Sequence, residues 1–444
     1  MSLKSTKSYP RVLIFSQTFN KISGGGITLT NLFFGYPREN IAVLTYPFML
    51  LHASFESCIN YYQLGREEYF WSFPLNYIKK KFNSGPVQIE KKNSRITANQ
   101  PYLRNRIATN ILSPFLRWSG LTHCVSRIKI SDRLKKWLEE YKPEVLYLQI
   151  SNRESILYSL ELIEYLKIPA AIHMMDDWPM TVSSRGPFRK YWHNRIDREF
   201  RELLAKTTSY LSISDAMSEE YLNRYGKQFK AFHNPVDPSW FNEDPVTNES
   251  DKRYFRVLYL GRIGIANESS LLAFSEFISN YIYQDCIVEF DVYTKDIDSK
   301  IARRIGNLKG VRINLPVNHE DVPSLMTRYQ LLLLPLDFTR SGLKFSRLSM
   351  PSKTSEYMLS GTPIMVMAPA ESAVSKFCTY NKCAHCISSD KLEDLTKTMN
   401  FLIENDDYRK DLASGAKRLA NQLFNRRKVT RDFRDFLVTL SSFK

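Results

Sequence analysis

The residues best equipped for chemistry fall in a few short stretches. Glu356 stands near the start of a helix-like segment, Ser352–Ser360. A carboxylate placed there can accept a bidentate pair of hydrogen bonds from a ribose diol. Ser352 and Lys353 share that helix start, where free N–H groups and an ammonium suit phosphate oxygens. The plainer alternative is a capping serine, a solvated lysine and a glutamate favoured by the helix dipole. His173 ends a strand-like run and is followed closely by Asp176 and Asp177. A lone histidine is often a satisfied core imidazole, but a strand end beside acidic residues favours a functional site. Neighbouring strand residues point to opposite faces, which argues against Asp176 and Asp177 as a metal pair. Gly24, Gly25 and Gly26 let the backbone approach a ligand closely. No Lys-Ser/Thr ending comes after them, so the loop is not an NTPase P-loop. Cys378, Cys383 and Cys386 enclose His385 at a spacing that zinc knuckles use. No second ligand pair accompanies them, and AHCIS reads as a strand edge where cysteine packs as a small hydrophobe.

These groups need elements to hold them. RVLIFS (Arg11–Ser16) is a short apolar run suited to a buried parallel strand, followed by the glycine loop and a helix from Ile27. Further strands are expected at Ile41–Pro47, Glu144–Ile150, Pro169–Met175, Ser209–Ser214 and Phe229–Asn234. Helices are expected at Arg133–Tyr141, Arg153–Leu166 and Phe188–Lys206. Asp237–Arg253 is polar, carries two prolines and lacks periodicity, and reads as a linker. The pattern restarts with FRVLYLGRIG (Phe255–Gly264) and strands at Ile287–Thr294, Val311–Pro316, Leu331–Leu336 and Pro363–Ala368. Helices at Ser269–Tyr283, His319–Arg328 and Ser352–Ser360 intervene. Two successive β-α-β runs, each opened by a strand and a glycine-bearing loop, predict an α/β fold of two Rossmann-like, doubly wound domains facing a cleft.

Composition bounds the partners. The 444 residues carry 62 Lys+Arg and 46 Asp+Glu, a net charge of +16, with 43% hydrophobic residues. Wholesale disorder and fibrous classes are excluded. Residues 1–150 hold 21 basic and 9 acidic residues, so most of the charge lies in the first third. No run reaches the ~18 apolar residues of a membrane span. The six cysteines are too sparse for a disulfide scaffold. A soluble, reduced, cytoplasmic protein is expected, with no signal peptide at the N-terminus. Residues of about 57–140 are aromatic and basic: Lys79, Lys80, Lys81, Lys91, Lys92, Arg95, Arg104 and Arg106 interleave with Tyr61, Tyr62, Phe70, Trp71, Phe73 and Trp118. Such a mixture suits an anionic membrane interface, stacking on single-stranded nucleic acid, or a solvated insertion with its own small core.

SMPSKTSEYMLSGTPIMV (Ser349–Val366) resembles the donor-binding motif of GT-B glycosyltransferases, in particular the retaining family 4 group. VLYLGRIG resembles the first strand and loop of their C-terminal domain, SISDAMSEEYLNRYG and HNPVD the end of their N-terminal domain, and NQLFNRRKVTRDFRDFL their closing helices. The likeness covers most of 9–56 and 143–444 and leaves out about 57–140. It implies an N-terminal acceptor-side domain over 1–236, a linker over 237–253, a donor-binding domain over 254–425, and a final helix over 426–444 returning to the first domain.

The resemblance also assigns roles. Glu356 would grip the nucleotide ribose, with Ser352, Lys353 and Gly261 around the donor. Arg262 would neutralise the leaving diphosphate, His173 would approach the transferred sugar, and Asp176 or Asp177 would bind sugar hydroxyls or orient the acceptor. Gly24–Gly26 would border the acceptor and the diphosphate. Two departures stand out: Asn267 occupies a position that often holds Lys, and Leu348 one that often holds Glu. Arg340, Lys344 or Arg347 are the candidates to replace the lost cation. The implied activity is metal-independent transfer of a sugar, with retention, from a nucleotide diphosphate sugar to a glycan or lipid-linked acceptor in cell-surface polysaccharide or glycoconjugate synthesis. The donor is a substrate and no cofactor is expected. A peripheral position at the inner face of the cytoplasmic membrane would suit the basic region, with no specific nucleic acid partner. Rival readings are a catalytically silent subunit of the same fold, and a sugar-nucleotide epimerase.

Overall fold

The computed structural model describes residues 9–72, 82–87, 113–182, 186–241 and 253–443. The chain divides into two units, Met1–Phe232 with Thr430–Lys444, and His233–Val429.

The strands of the first unit are β1 (Val12–Phe15), β2 (Ile41–Thr45), β3 (Asn60–Gln63), β4 (Tyr69–Trp71), β5 (Gly85–Pro86), β6 (Ser126–Ile128), β7 (Val145–Leu148), β8 (Ala170–Met174), β9 (Ser209–Ser212) and β10 (Lys230–Ala231). Its main sheet runs β10-β9-β8-β7-β1-β2-β3-β5, parallel except for β5. β1, β2, β7 and β8 are buried along their whole length, which is why they read as unbroken apolar runs rather than alternating ones. β4 and β6 form a separate antiparallel ladder. β3 lies inside the stretch expected as an insertion, yet it extends the main sheet. Its Tyr61 and Tyr62 are core residues whose hydroxyls donate to Ser54 O (2.7 Å) and Glu68 Oε1 (2.8 Å). Of the other residues in the expected aromatic and basic surface, Phe70 and Trp118 are exposed. The Lys79–Lys81 run, Lys91, Lys92, Arg95, Arg104, Arg106 and Phe73 lie outside the described residues. Phe433, from the C-terminal segment, sets its ring edge-on to Phe33 (5.1 Å), Phe232 (5.4 Å) and Tyr147 (5.9 Å).

The second unit holds β11 (Tyr254–Leu260), β12 (Ile287–Tyr293), β13 (Val311–Asn314), β14 (Leu331–Pro335), β15 (Ile364–Met367) and β16 (His385–Ile387), in the all-parallel order β13-β12-β11-β14-β15-β16. Successive residues of one strand feed opposite faces. Leu258, Leu332, Leu334 and Val366 pack with Tyr357 and Met358, whereas Val257, Tyr259, Leu331, Leu333 and Met365 pack with Phe274 and Phe290. The start of the expected linker, with the residues just before it, is already part of this unit. Val236 N donates to Phe424 O at 2.8 Å, Asp237 pairs with Arg426, and Phe241 is buried. The helix expected over His319–Arg328 is instead a 3-10 turn, His319–Asp321, and a short helix, Val322–Met326, with a proline in its first turn.

Candidate functional site

In the second unit the candidate residues gather beyond the C-terminal ends of parallel strands, where backbone loops diverge and a ligand can enter. In the second unit β11 runs into Gly261 and Arg262. Gly261 has φ +149°, and a Cβ there would lie 1.6 Å from Lys353 Nζ, so the glycine makes room for the lysine. Lys353 opens the helix Lys353–Ser360 and lies over the Tyr259 ring, 5.1 Å from its centre. Glu356, one turn on, is half-buried. Desolvation pushes its carboxyl up to about 7 while Lys353 pulls it down, and the same burial pushes Lys353 down to about 8 while Glu356 pulls it up. Tyr357, next in the helix, reaches the strand edge, where its Oη accepts from Leu260 N at 2.9 Å. This bond fixes the helix start against the end of β11.

Arg262 is 78% exposed along its side chain and pairs with Asp296 just after β12 (3.1 Å). That hydrogen bond holds the Asp296 carboxyl below the usual range. Asp296 Oδ2 also accepts from Ile263 N at 3.0 Å. Asn267, where a Lys is common in the resembling family, organises the same loop. Its Nδ2 donates to Tyr259 Oη (2.6 Å) and Arg262 O (3.0 Å), and its Oδ1 accepts from Gly264 N (3.0 Å). Tyr259 Oη in turn donates to Arg262 O at 2.6 Å. Arg340 and Lys344 sit on the short helix Arg340–Ser346, exposed and, among the described residues, without a carboxylate partner. The start of that helix packs on the Arg262 loop: Asp337 N donates to Ala266 O at 2.8 Å, and a Cβ at Gly342 would lie 2.8 Å from Ile265 O. Ser352 is half-buried and makes no side-chain cap bond. Leu348 is buried. Asp296, Tyr259 and Asn267 were not expected as site residues. Asp296 alone had a readable signal, an acid directly after a parallel strand.

In the first unit the three glycines form the first turn of a helix, Gly24–Leu32, rather than a loop ahead of it. Ser23 caps it, its Oγ accepting from Gly26 N at 3.2 Å. Asn20 Oδ1 gathers Ile22 N (3.0 Å), Ser23 N (2.8 Å) and Ser23 Oγ (3.0 Å). A Cβ on Gly26 would lie 2.1 Å from the Asn20 amide nitrogen, while one on Gly24 would meet nothing within 4 Å. Gly26→Ala should therefore cost about 1–3 kcal/mol, and Gly24→Ala should be neutral or stabilising; urea melts of the two variants check this. Ser16, ahead of this loop, holds φ +84°, a left-handed backbone fixed by Ser16 N to Leu44 O (3.0 Å) and Thr45 Oγ1 to Ser16 O (2.9 Å).

His173 is buried within β8, not at its mouth. Its Nδ1 lies 2.5 Å from Tyr147 Oη, which also accepts from Gln149 Nε2 at 3.2 Å. Burial pushes the imidazole down to about 3, so it is neutral. Asp177 is buried too, and gives both oxygens to Arg224 (2.7 and 3.0 Å) and one to Tyr221 Oη (3.0 Å). Asp176 is exposed. No group of three or more His, Cys, Asp or Glu side chains able to hold a metal ion occurs among the described residues, and the six cysteines are free thiols.

No protein-family profile matches the chain, and no curated protein sequence matches it. Solved structures do. HepE from Anabaena, solved with UDP and glucose, has a TM-score of 0.61 at 13% identity over 98% of this chain and 100% of its own. Sucrose-phosphate synthase from Thermosynechococcus elongatus gives 0.63 at 11% identity, over 98% and 99% of the two chains. A glycosyltransferase from Rickettsia africae gives 0.59 at 9% identity, over 98% and 100%. At these identities the likeness is one of fold. The two Rossmann-like units make the GT-B fold.

Proposed function

We propose that this protein is a glycosyltransferase that moves a sugar from a nucleotide diphosphate sugar to a hydroxyl of a glycan or lipid-linked acceptor. The observation that carries this reading is the Lys353–Glu356 helix turn set against Gly261 at the end of β11. Such a turn offers a carboxylate for a ribose diol beside an ammonium and helix N–H groups for phosphate. The UDP bound in HepE supports a nucleotide ligand on this fold. In the proposed reaction Arg262, released from Asp296, neutralises the charge growing on the leaving diphosphate, and Arg340 and Lys344 stand in for the cation absent at 267. The front-face, retaining course inferred from the family resemblance needs no carboxylate nucleophile, and side chains rather than a metal meet the diphosphate. Asp176, exposed after β8, is the acid we assign to the acceptor side. Anionic lipid would hold the protein near its acceptor, in polysaccharide or glycoconjugate synthesis.

Two observations favour a second reading, a catalytically silent subunit: Arg262 is already paired with Asp296, and Asn267 is used within the loop. A thermal-shift screen against nucleotides and nucleotide sugars decides first, since a ligand bound only by the folded state raises its apparent stability. No shift with any of them would remove the donor reading. Arg262→Ala should raise the Kd for a nucleoside diphosphate roughly tenfold by losing a charge-assisted contact at an exposed site; an unchanged Kd together with no turnover would favour the silent subunit.

A further inference from the structure

We propose that a surface of the first unit formed by Phe115, Trp118, Phe188, Arg189, Lys190 and Tyr191 docks on an anionic lipid bilayer. The inference rests on the lipid-linked part of the function proposed above and adds the residues that would make the contact.

Four large rings in this surface face solvent: Phe115 (53% exposed), Trp118 (56%), Phe188 (58%) and Tyr191 (53%). Rings that size are ordinarily covered, and a cluster of them marks an interaction site. They come from two segments that are locked together. Gly186 has φ +99°, and a Cβ there would lie 1.7 Å from Trp118 O; a Cβ at Gly120 would lie 2.3 Å from the Trp192 ring. Two glycines thus let the Ser113–Ser119 helix lie directly on the start of the helix Arg189–Lys206. Trp192 forms the floor, buried and tilted 5.0 Å from the His123 ring. Below it the buried Arg153–Glu199 pair (2.7 Å) ties the two segments, because Arg153 Nη1 also donates to His123 O at 2.7 Å. Tyr191 is held upright by Arg195 Nη1, which donates to its hydroxyl at 2.6 Å. The two segments that carry the rings are therefore held as one platform.

Charge selects the partner. Arg189 and Lys190 lie between Phe188 and Tyr191, both are exposed, and among the described residues neither forms an ion pair. They occupy the first turn of an 18-residue helix that has no acidic residue there and no side-chain cap. Two cations at the positive end of a helix are unfavourable alone and become favourable beside phosphate. Aromatic rings flanking unpaired cations are the composition of a headgroup-level contact, with rings at the acyl boundary and cations among the phosphates. A nucleic-acid strand would require cations spaced along a groove with rings between them. Here the two cations are adjacent and the rings outnumber them.

The test is flotation of the full chain with phosphatidylcholine vesicles with or without phosphatidylglycerol, in the absence of donor and acceptor. The wild type should bind the anionic vesicles, less so as salt rises, and pass by the neutral ones. Arg189→Glu with Lys190→Glu should weaken the partition at least roughly thirtyfold, from about 1 kcal/mol for each basic residue near the surface. Trp118→Ser with Phe188→Ser should weaken it at unchanged salt dependence. Far-ultraviolet dichroism and the melting temperature confirm that each variant is folded. Wild-type binding that the folded variants retain overturns the proposal, as does failure of the wild type to bind. So does capture of a single-stranded oligonucleotide, in preference to vesicles, by these same residues. Vesicle binding is read without nucleotide and the nucleotide thermal shift without lipid, so the failure of one leaves the other standing.

Discussion

Glu356→Ala should weaken nucleotide-sugar binding roughly a hundredfold to a thousandfold, because two hydrogen bonds to a charged acceptor are lost at about 1.5–3 kcal/mol each and part of the loss is recovered by water. Isothermal titration with a nucleoside diphosphate reads this directly. A matching deoxyribose nucleotide should lose less on mutation than the ribose form, which ties the effect to the diol. A variant that bound as well as the wild type would remove Glu356 from the site. The pH dependence comes from the groups around it. In the proposed site the diol would need the ionised carboxylate, and burial pushes that carboxyl up to about 7. The phosphates favour the protonated lysine, whose titration burial has moved down to about 8. Affinity should peak between these values and fall on both sides.

The stability of the unliganded protein runs the other way. A carboxyl raised in the fold contributes stability that is complete below its ordinary range and lost as pH rises through about 7. A lysine lowered in the fold contributes stability that is complete above its ordinary range and lost as pH falls through about 8. Near neutrality Lys353 and Glu356 are therefore two poorly solvated charges, and a nucleotide bound as proposed would relieve both. The ligand-induced rise in melting temperature should be largest there.

Asp177→Ala should destabilise the first unit strongly, by about 3 kcal/mol, the lower end expected for breaking a buried pair because Arg224 keeps one carboxylate. It strips two hydrogen bonds from Arg224, whose side chain is only 15% exposed, and leaves Glu220 (2.6 Å) as the remaining carboxylate. It also orphans the buried Tyr221 hydroxyl. Asp177→Asn keeps an acceptor for Tyr221 and should lose less. Chemical denaturation followed by tryptophan fluorescence separates the two variants. Loss of turnover in Asp177→Ala at wild-type stability would instead return the residue to the chemistry.

The elements were legible where their burial is uniform. VLIF, VLYL and LLLLP are covered on both faces, so their apolar runs announce parallel strands without any periodicity. The Glu356 turn was legible because its residue types sit at a helix start, a local feature. Depth was not. His173 and Asp177 lie four residues apart beside the same strand, and nothing local tells that Tyr147 takes the imidazole or that Arg224, 47 residues on, takes the carboxylate. The glycine run read as a loop because glycine disfavours helix. The Asn20–Ser23 network that starts the helix at Gly24 is made of side-chain bonds that composition does not display. β3 was hidden for a related reason, since its inward tyrosines resemble surface aromatics until their hydroxyls are seen to be satisfied.

The discontinuity of the first unit has a consequence for biosynthesis. Its interior needs Phe433, which closes the ring cluster of Phe33, Tyr147 and Phe232 and is itself fully buried. Residues 1–232 emerge from the ribosome long before residue 433, so this core stays open while about 200 further residues are translated. The second unit is one uninterrupted stretch, and its last residues share the helix Arg426–Ser441 with Phe433. The usual vectorial order, in which the N-terminal domain matures ahead of the later ones, is thus not open to this chain: both units wait for the same helix. Until then the nascent first unit lacks the ring that covers Phe33, Tyr147 and Phe232.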